Sequence, residues 1–169
     1  GKIRVKTLPS GTKFTTLDGI ERELHQDDLM ICDDKKPLCL AGVFGGQNSG
    51  VSASTTSIFL ESAYFNPVSI RKSAKRHSLN TDASFRFERG IDPEIGIYAL
   101  KTAAILIQNI AGGKISSDIQ EHAQPLTKKV NLFISYAKIT QVIGSEIPKD
   151  TLIKILNSLE IEVYNVNED

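Results

Sequence analysis

The 169-residue sequence has no tryptophan, one methionine, two cysteines, three histidines and a formal net charge of zero. Each shortage removes a class of reading. Cys32 and Cys39 are spaced as neither a C-x-x-C redox pair nor a zinc pair, and His25, His77 and His122 are scattered, so no metal cluster is expected. Two reduced cysteines suit a cytoplasmic protein. No apolar run reaches the ~18 residues of a membrane span, and the opening GKIRVK lacks a signal-peptide pattern, so no membrane association is expected. That opening reads as a strand entered midway, as in a piece of a longer chain. The balanced charge gives no overall attraction to a polyanion, so any contact with nucleic acid must be local.

What is present is an ordinary globular composition, 40% hydrophobic and 24% charged. The first half carries strand signals. KIRVK alternates, and KFTTL and IEREL flank Asp18-Gly19, a pair that suits a type I′ hairpin turn. LMICD, PLCLAGVF and SIFLES follow as apolar runs, giving at least six short strands. Helices then enter with clear punctuation. Asn66-Pro67 pairs an N-cap with proline at the first helical position and predicts a helix to about Arg76. Asp92-Pro93 starts another, with Ile97, Leu100, Ala104, Ile107 and Ala111 at helical spacing and Gly112-Gly113 as the stop.

KISSDI reads as one more strand and EHAQPLTKK as a polar connector. Beyond it the pattern is strand VNLFI, a helix from near Ser135, Gly144, a helix from Pro148 to Leu159 and strand IEVYNV. The expected class is α+β. A β-rich core with helices packed on it occupies residues 1–122, and a truncated, small helical unit, winged-helix-like, occupies 128–169.

Three stretches invite chemistry. AGVFGGQNSG sets Gly42, Gly45, Gly46 and Gly50 between strands without a P-loop or dinucleotide fingerprint. It is either a turn needing positive φ or a wall that lets a ligand approach the backbone. VSIRKSAKRH places Arg71 with Lys75, and Lys72 with Arg76, four apart. From Asn66 to Gly90 six Lys or Arg face two acids. That is a solvated face or a phosphate-holding one. HSLNTDASFRFERGIDP gathers His77, Thr81, Asp82 and Ser84 but lacks the nucleophile elbow of a serine hydrolase. Glu61 ends an apolar run before the small Ser62 and Ala63, at a strand's wet end or pointing into a pocket.

These residues carry a resemblance. AGVFGGQNSGVS, then SIFLESAYFNPVSIRKSAKRHSLNTDASFRFERGIDP, with FTTLDGIEREL upstream, resemble the central editing modules (B3/B4-type) of the β subunit of bacterial phenylalanyl-tRNA synthetase. VNLFISYAKITQVIGSEIPKDTLIKILNSLEIEV resembles the start of its next module, of B5 type, and together the matches span essentially the whole chain. The resemblance implies an α2β2 heterotetramer. Its α subunit joins phenylalanine to tRNA(Phe) with ATP and Mg2+, and its β subunit hydrolyses tyrosine wrongly attached to that tRNA. It places editing-pocket positions on Gly45, Glu61, Thr81 and Ala83, with Thr81 the catalytic candidate and no cofactor or metal in this region. Arg71, Lys72, Lys75 and Arg76 are candidate tRNA contacts. A further family histidine lies upstream of the hairpin, where neither His25 nor His77 matches it, so the isolated chain is expected to be inactive. The rival reading is a non-catalytic module that binds tRNA or the α subunit.

The chemistry suits these residue types. A pocket for a phenyl ring rejects an added hydroxyl only weakly, so a second site must select tyrosine positively. A Glu61 carboxylate accepting the phenol proton does so, because phenylalanine would leave it desolvated and unpaired at about 1–3 kcal/mol. Gly45 and Ala83 are then small because the ring lies against them, and Thr81 offers a donor and acceptors for ester, amine or water.

Overall fold

A computed structural model describes residues 2–122 and 130–166. The chain divides into two compact units, Gly1–His122 and Ala123–Asp169. The predicted connector EHAQPLTKK lies mostly outside the described residues. The first unit is α+β, with six short strands followed by helices.

Strands β1 (Arg4–Thr7), β4 (Leu29–Cys32), β5 (Pro37–Leu40) and β6 (Phe44–Gly45) form an antiparallel sheet in the order β1-β4-β5-β6. Strands β2 (Lys13–Thr15) and β3 (Glu21–Glu23) form a separate hairpin, bridged to the sheet at Thr16 and Gly46. The run PLCLAGVF is therefore not one strand. Gly42, at φ +66°, turns the chain between β5 and β6, and a side chain there would strike Phe65 and Ile70.

Side-chain alternation gives the sheet two different faces. Met30, Leu40 and Phe44 share one row, and the first two are essentially fully buried with Ile70, Ala74 and Phe65. At about 1.5–3 kcal/mol per large buried aliphatic, this cluster is the main stabiliser of the unit. The alternate row, Val5, Ile31, Cys39 and Gly45, is less covered, with Val5 exposed and Cys39 and Gly45 half-buried.

The hairpin turn differs from the expected type I′. Gly19 takes φ +77° but Asp18 does not have positive φ; the Gly19 N–H donates to Thr16 O (2.9 Å) and Thr16 N–H to Ile20 O (3.1 Å). This is a three-residue loop with one left-handed glycine. Asp18 favours it by accepting from Thr16 Oγ1 (2.5 Å) and the Ile20 amide (3.1 Å), which holds the loop closed from inside.

Helix α1 (Pro67–Arg76) begins as predicted, Asn66 Oδ1 accepting from the amides of Val68 (3.0 Å) and Ser69 (3.2 Å). A short helix α2 (Asp82–Phe87) was not expected, and its hydrophobic anchor is Phe87 set edge-on to Phe65 at 5.0 Å. The helix expected from Pro93 is a 3-10 turn, Pro93–Ile95, leading into α3 (Gly96–Ala111). Ile97, Leu100, Ala104 and Ile107 are its half-buried stripe, and Gly112 ends it at φ +68°.

In the second unit, α4 (Tyr136–Ile143) is capped by Ser135 and ended by Gly144, and α5 (Lys149–Ser158) follows Pro148. Four predicted strands, SIFLES, KISSDI, VNLFI and IEVYNV, are irregular. A strand needs a ladder partner, and among the described residues none of these segments has one. No described helix is long and apolar enough to cross a membrane.

Candidate functional site

Cys39 and Gly45 are directly opposed in the β5–β6 ladder, so their side-chain positions lie on the same face of the sheet. Burial, then the nearby Glu61 charge, pushes the Cys39 thiol up to about 11. The Glu61 charge is thus felt at Cys39, the residue opposed to Gly45 in the ladder. Glu61 as a residue stays exposed, yet burial at its carboxyl raises its pKa above the ordinary 4.5. It makes no hydrogen bond or ion pair among the described residues. Its oxygens are available to accept from a donor supplied from outside.

Thr81 reaches the same neighbourhood through the backbone. Its hydroxyl donates to Val43 O at 2.6 Å, two residues before Gly45, and accepts from the Ser84 amide at 3.0 Å. Ser84 Oγ accepts from the Thr81 amide at 3.0 Å, completing a capping box. Thr81 thus pins the start of α2 to the β5–β6 turn. Its proton is already committed, which leaves acceptor capacity only. Ala83, in the first turn of α2, is exposed.

The basic helix separates into two roles. Arg71, Lys72 and Lys75 are exposed and form no ion pair among the described residues. Arg76 instead binds the fully buried Asp28. The same carboxylate accepts from Ser73 Oγ (2.6 Å) and the His25 amide (2.8 Å) and pairs with His77 Nε2 (2.6 Å). Burial pushes Asp28 up, but the hydrogen bonds from Ser73, the His25 amide and His77 outweigh it, so its pKa falls below the ordinary 3.8. No catalytic triad results, because Ser73 donates to the aspartate and not to the histidine.

Sequence reasoning missed Asp28, Cys39 and Leu17 as contributors to this region. Asp28 gave no signal, since an acid before a strand is ordinary. Leu17 did give one, being an apolar residue at the tip of a hairpin, where polar residues predominate. A cleft of about 520 Å3 between α4 and α5, lined in part by Tyr136, Glu146 and Lys149, holds none of the predicted site residues.

The proximity of Glu61 and Cys39 has a chemical readout. With its thiol held near 11, native Cys39 should react with iodoacetamide at pH 8 about a hundredfold more slowly than in the unfolded chain. Glu61→Gln should accelerate the native reaction, as followed by peptide mass. An unchanged rate would mean that Glu61 does not sit beside Cys39.

The candidate site thus consists of an antiparallel sheet with a glycine strand, a glutamate whose charge reaches Cys39, and a threonine-capped helix, all on an α+β domain. The family model described as the B3/4 domain matches residues 1–112, and the chain belongs to that family. It is 52% identical over 165 residues to the phenylalanine–tRNA ligase β subunit of Bacteroides fragilis, strain YCH46. It is 50% identical over 163 residues to that of Porphyromonas gingivalis and 45% identical over 164 to that of Syntrophus aciditrophicus. These alignments cover 98%, 96% and 96% of the chain and 20% of each relative, so the chain spans about one fifth of their length.

Proposed function

We propose that the chain is part of the editing region of a cytoplasmic phenylalanine–tRNA ligase β subunit, the region that hydrolyses tyrosyl-tRNA(Phe) within the assembled synthetase. The observation that carries this reading is Glu61, a carboxyl raised by burial, without a hydrogen bond or ion pair among the described residues, whose charge is felt at Cys39 opposite Gly45. A tyrosine phenol would supply the missing donor. Phenylalanine would desolvate the carboxylate further and return nothing. Homology to β subunits and membership of the B3/4 family support the same assignment.

The reaction is water attack on the ester carbonyl carbon, with the tRNA ribose oxygen leaving. Orientation supplies much of such a rate. The remaining acceptor capacity of Thr81 can hold the substrate ammonium or the attacking water, while its bond to Val43 fixes that acceptor in place. Ala83 and Gly45 keep side-chain bulk away from the ring. Arg71, Lys72, Lys75 and Arg76 form the basic face for the tRNA backbone, and Arg76 also binds Asp28. The second unit is read as the opening of the following B5-type module. The ligase reaction, with ATP and Mg2+, belongs to the α subunit of the α2β2 assembly. The described residues gather no group of three His, Cys, Asp or Glu to hold such an ion, and no step is assigned to one.

One observation favours the rival reading of a non-catalytic tRNA- or subunit-binding module: the Leu17 side chain occupies the space in front of Gly45. Leu17 is 51% exposed, however, so that space opens to solvent. The discriminating experiment measures deacylation of tyrosyl-tRNA(Phe) and phenylalanyl-tRNA(Phe) by the assembled synthetase. Faster release of tyrosine is expected, and equal rates would favour the binding module.

A further inference from the structure

A Cβ built on Gly45 would lie 2.9 Å from Cδ1 and 3.4 Å from Cγ of Leu17, and one on Gly50 would lie 3.7 Å from Leu17 Cδ2. Leu17 therefore covers the glycine wall from the hairpin tip. The backbone beneath it is tightly held. The Leu17 amide donates to Gly45 O at 3.0 Å and the Gln47 amide to Thr15 O at 3.1 Å. Arg22 braces the tip from below, with Nε on Thr16 Oγ1 (2.9 Å), one terminal nitrogen on Asp18 Oδ2 (2.6 Å) and the other on His77 O (2.7 Å). The backbone that carries this large apolar side chain is thus held in place while the residue stays 51% exposed, over the strand whose neighbour Cys39 feels Glu61.

We propose that Leu17 is a specificity-determining residue of the editing site. Its branched end is the apolar wall on which the ring of the misattached amino acid packs, and with the absent side chain of Gly45 it sets the width of the site. This inference rests on the editing reading above. Leu17 and Gly45 act as a complementary pair, one large and one absent. A methyl group at Gly45 strikes the leucine end and drives it into the ring's space. Shortening Leu17 removes the wall and leaves the ring less desolvated.

Steady-state deacylation of tyrosyl-tRNA(Phe) by the assembled synthetase tests the pair. Leu17→Ala is expected to raise KM about tenfold with kcat changed less than twofold. Leu17→Met, which restores apolar reach, should recover most of that loss. Gly45→Ala should lower kcat/KM about tenfold, and adding Leu17→Ala to it should recover part of the loss instead of deepening it. A parental KM for Leu17→Ala, or strictly additive losses in the double variant, would overturn the assignment. Glu61→Ala run in parallel separates the two levels. If it loses hydrolysis while Leu17 behaves as neutral, only the Leu17 assignment fails. If the parent synthetase itself releases tyrosine no faster than phenylalanine, the editing reading fails as well.

Discussion

Replacing Glu61 by alanine in the assembled synthetase is expected to cut the preference for tyrosyl- over phenylalanyl-tRNA(Phe) by about tenfold to a hundredfold, with aminoacylation intact. The magnitude follows from one charge-assisted hydrogen bond and the penalty of a desolvated carboxylate left unpaired, about 1–3 kcal/mol together. The fold should not suffer. Burial raises the folded-state pKa of Glu61 above its ordinary 4.5, so the ionised form is disfavoured in the folded chain. A raised pKa means the group's contribution to stability is present at pH below the ordinary value and is lost as pH rises through the folded value. At neutral pH the variant should therefore melt at or above the parental temperature. A residue that weakens the fold slightly and is needed for selection has the balance expected of a functional group.

Asp28→Ala should produce the largest loss of stability in the first unit, about 3–5 kcal/mol, because it leaves Arg76, Ser73 and His77 facing a buried void without their acceptor. For a unit of this size the melting temperature should fall by about 10 °C or more. The pH dependence has the opposite sign to that of Glu61. The Asp28 pKa is lowered, so its stabilisation is present above the ordinary 3.8 and is lost as pH falls through the lower folded value. Thermal melts of parent and Asp28→Asn from pH 7 to pH 2 should converge at the acid end. Parallel curves would show that the aspartate is not the titrating group.

The local punctuation of the fold was legible because it is local chemistry. Asn66-Pro67, Ser135, Gly112 and Gly144 mark helix ends through side-chain caps and left-handed glycines, which depend on a few neighbouring residues. The four failed strands were apolar runs whose alternation is real but whose pairing depends on a distant partner, which periodicity cannot supply. Helix α2 was hidden because six residues are too few to show a period; its capping box, Thr81 to Ser84, was the available signal. The candidate site shows the same division. Residue types suggested Glu61 and Gly45, but the Cys39–Gly45 register and the position of Leu17 are long-range facts. The second role of Arg76 was equally invisible, since its partner Asp28 lies 48 residues away.

The ratio of tyrosyl- to phenylalanyl-tRNA(Phe) hydrolysis, measured against pH for the parent synthetase and Glu61→Ala, tests the central claim most directly. The parent ratio should be high at neutral pH and should fall as acid protonates Glu61, through a pKa above the ordinary 4.5. The variant ratio should be low and flat across the same range. A variant that keeps the parental ratio at neutral pH would contradict the role of Glu61 in recognising tyrosine.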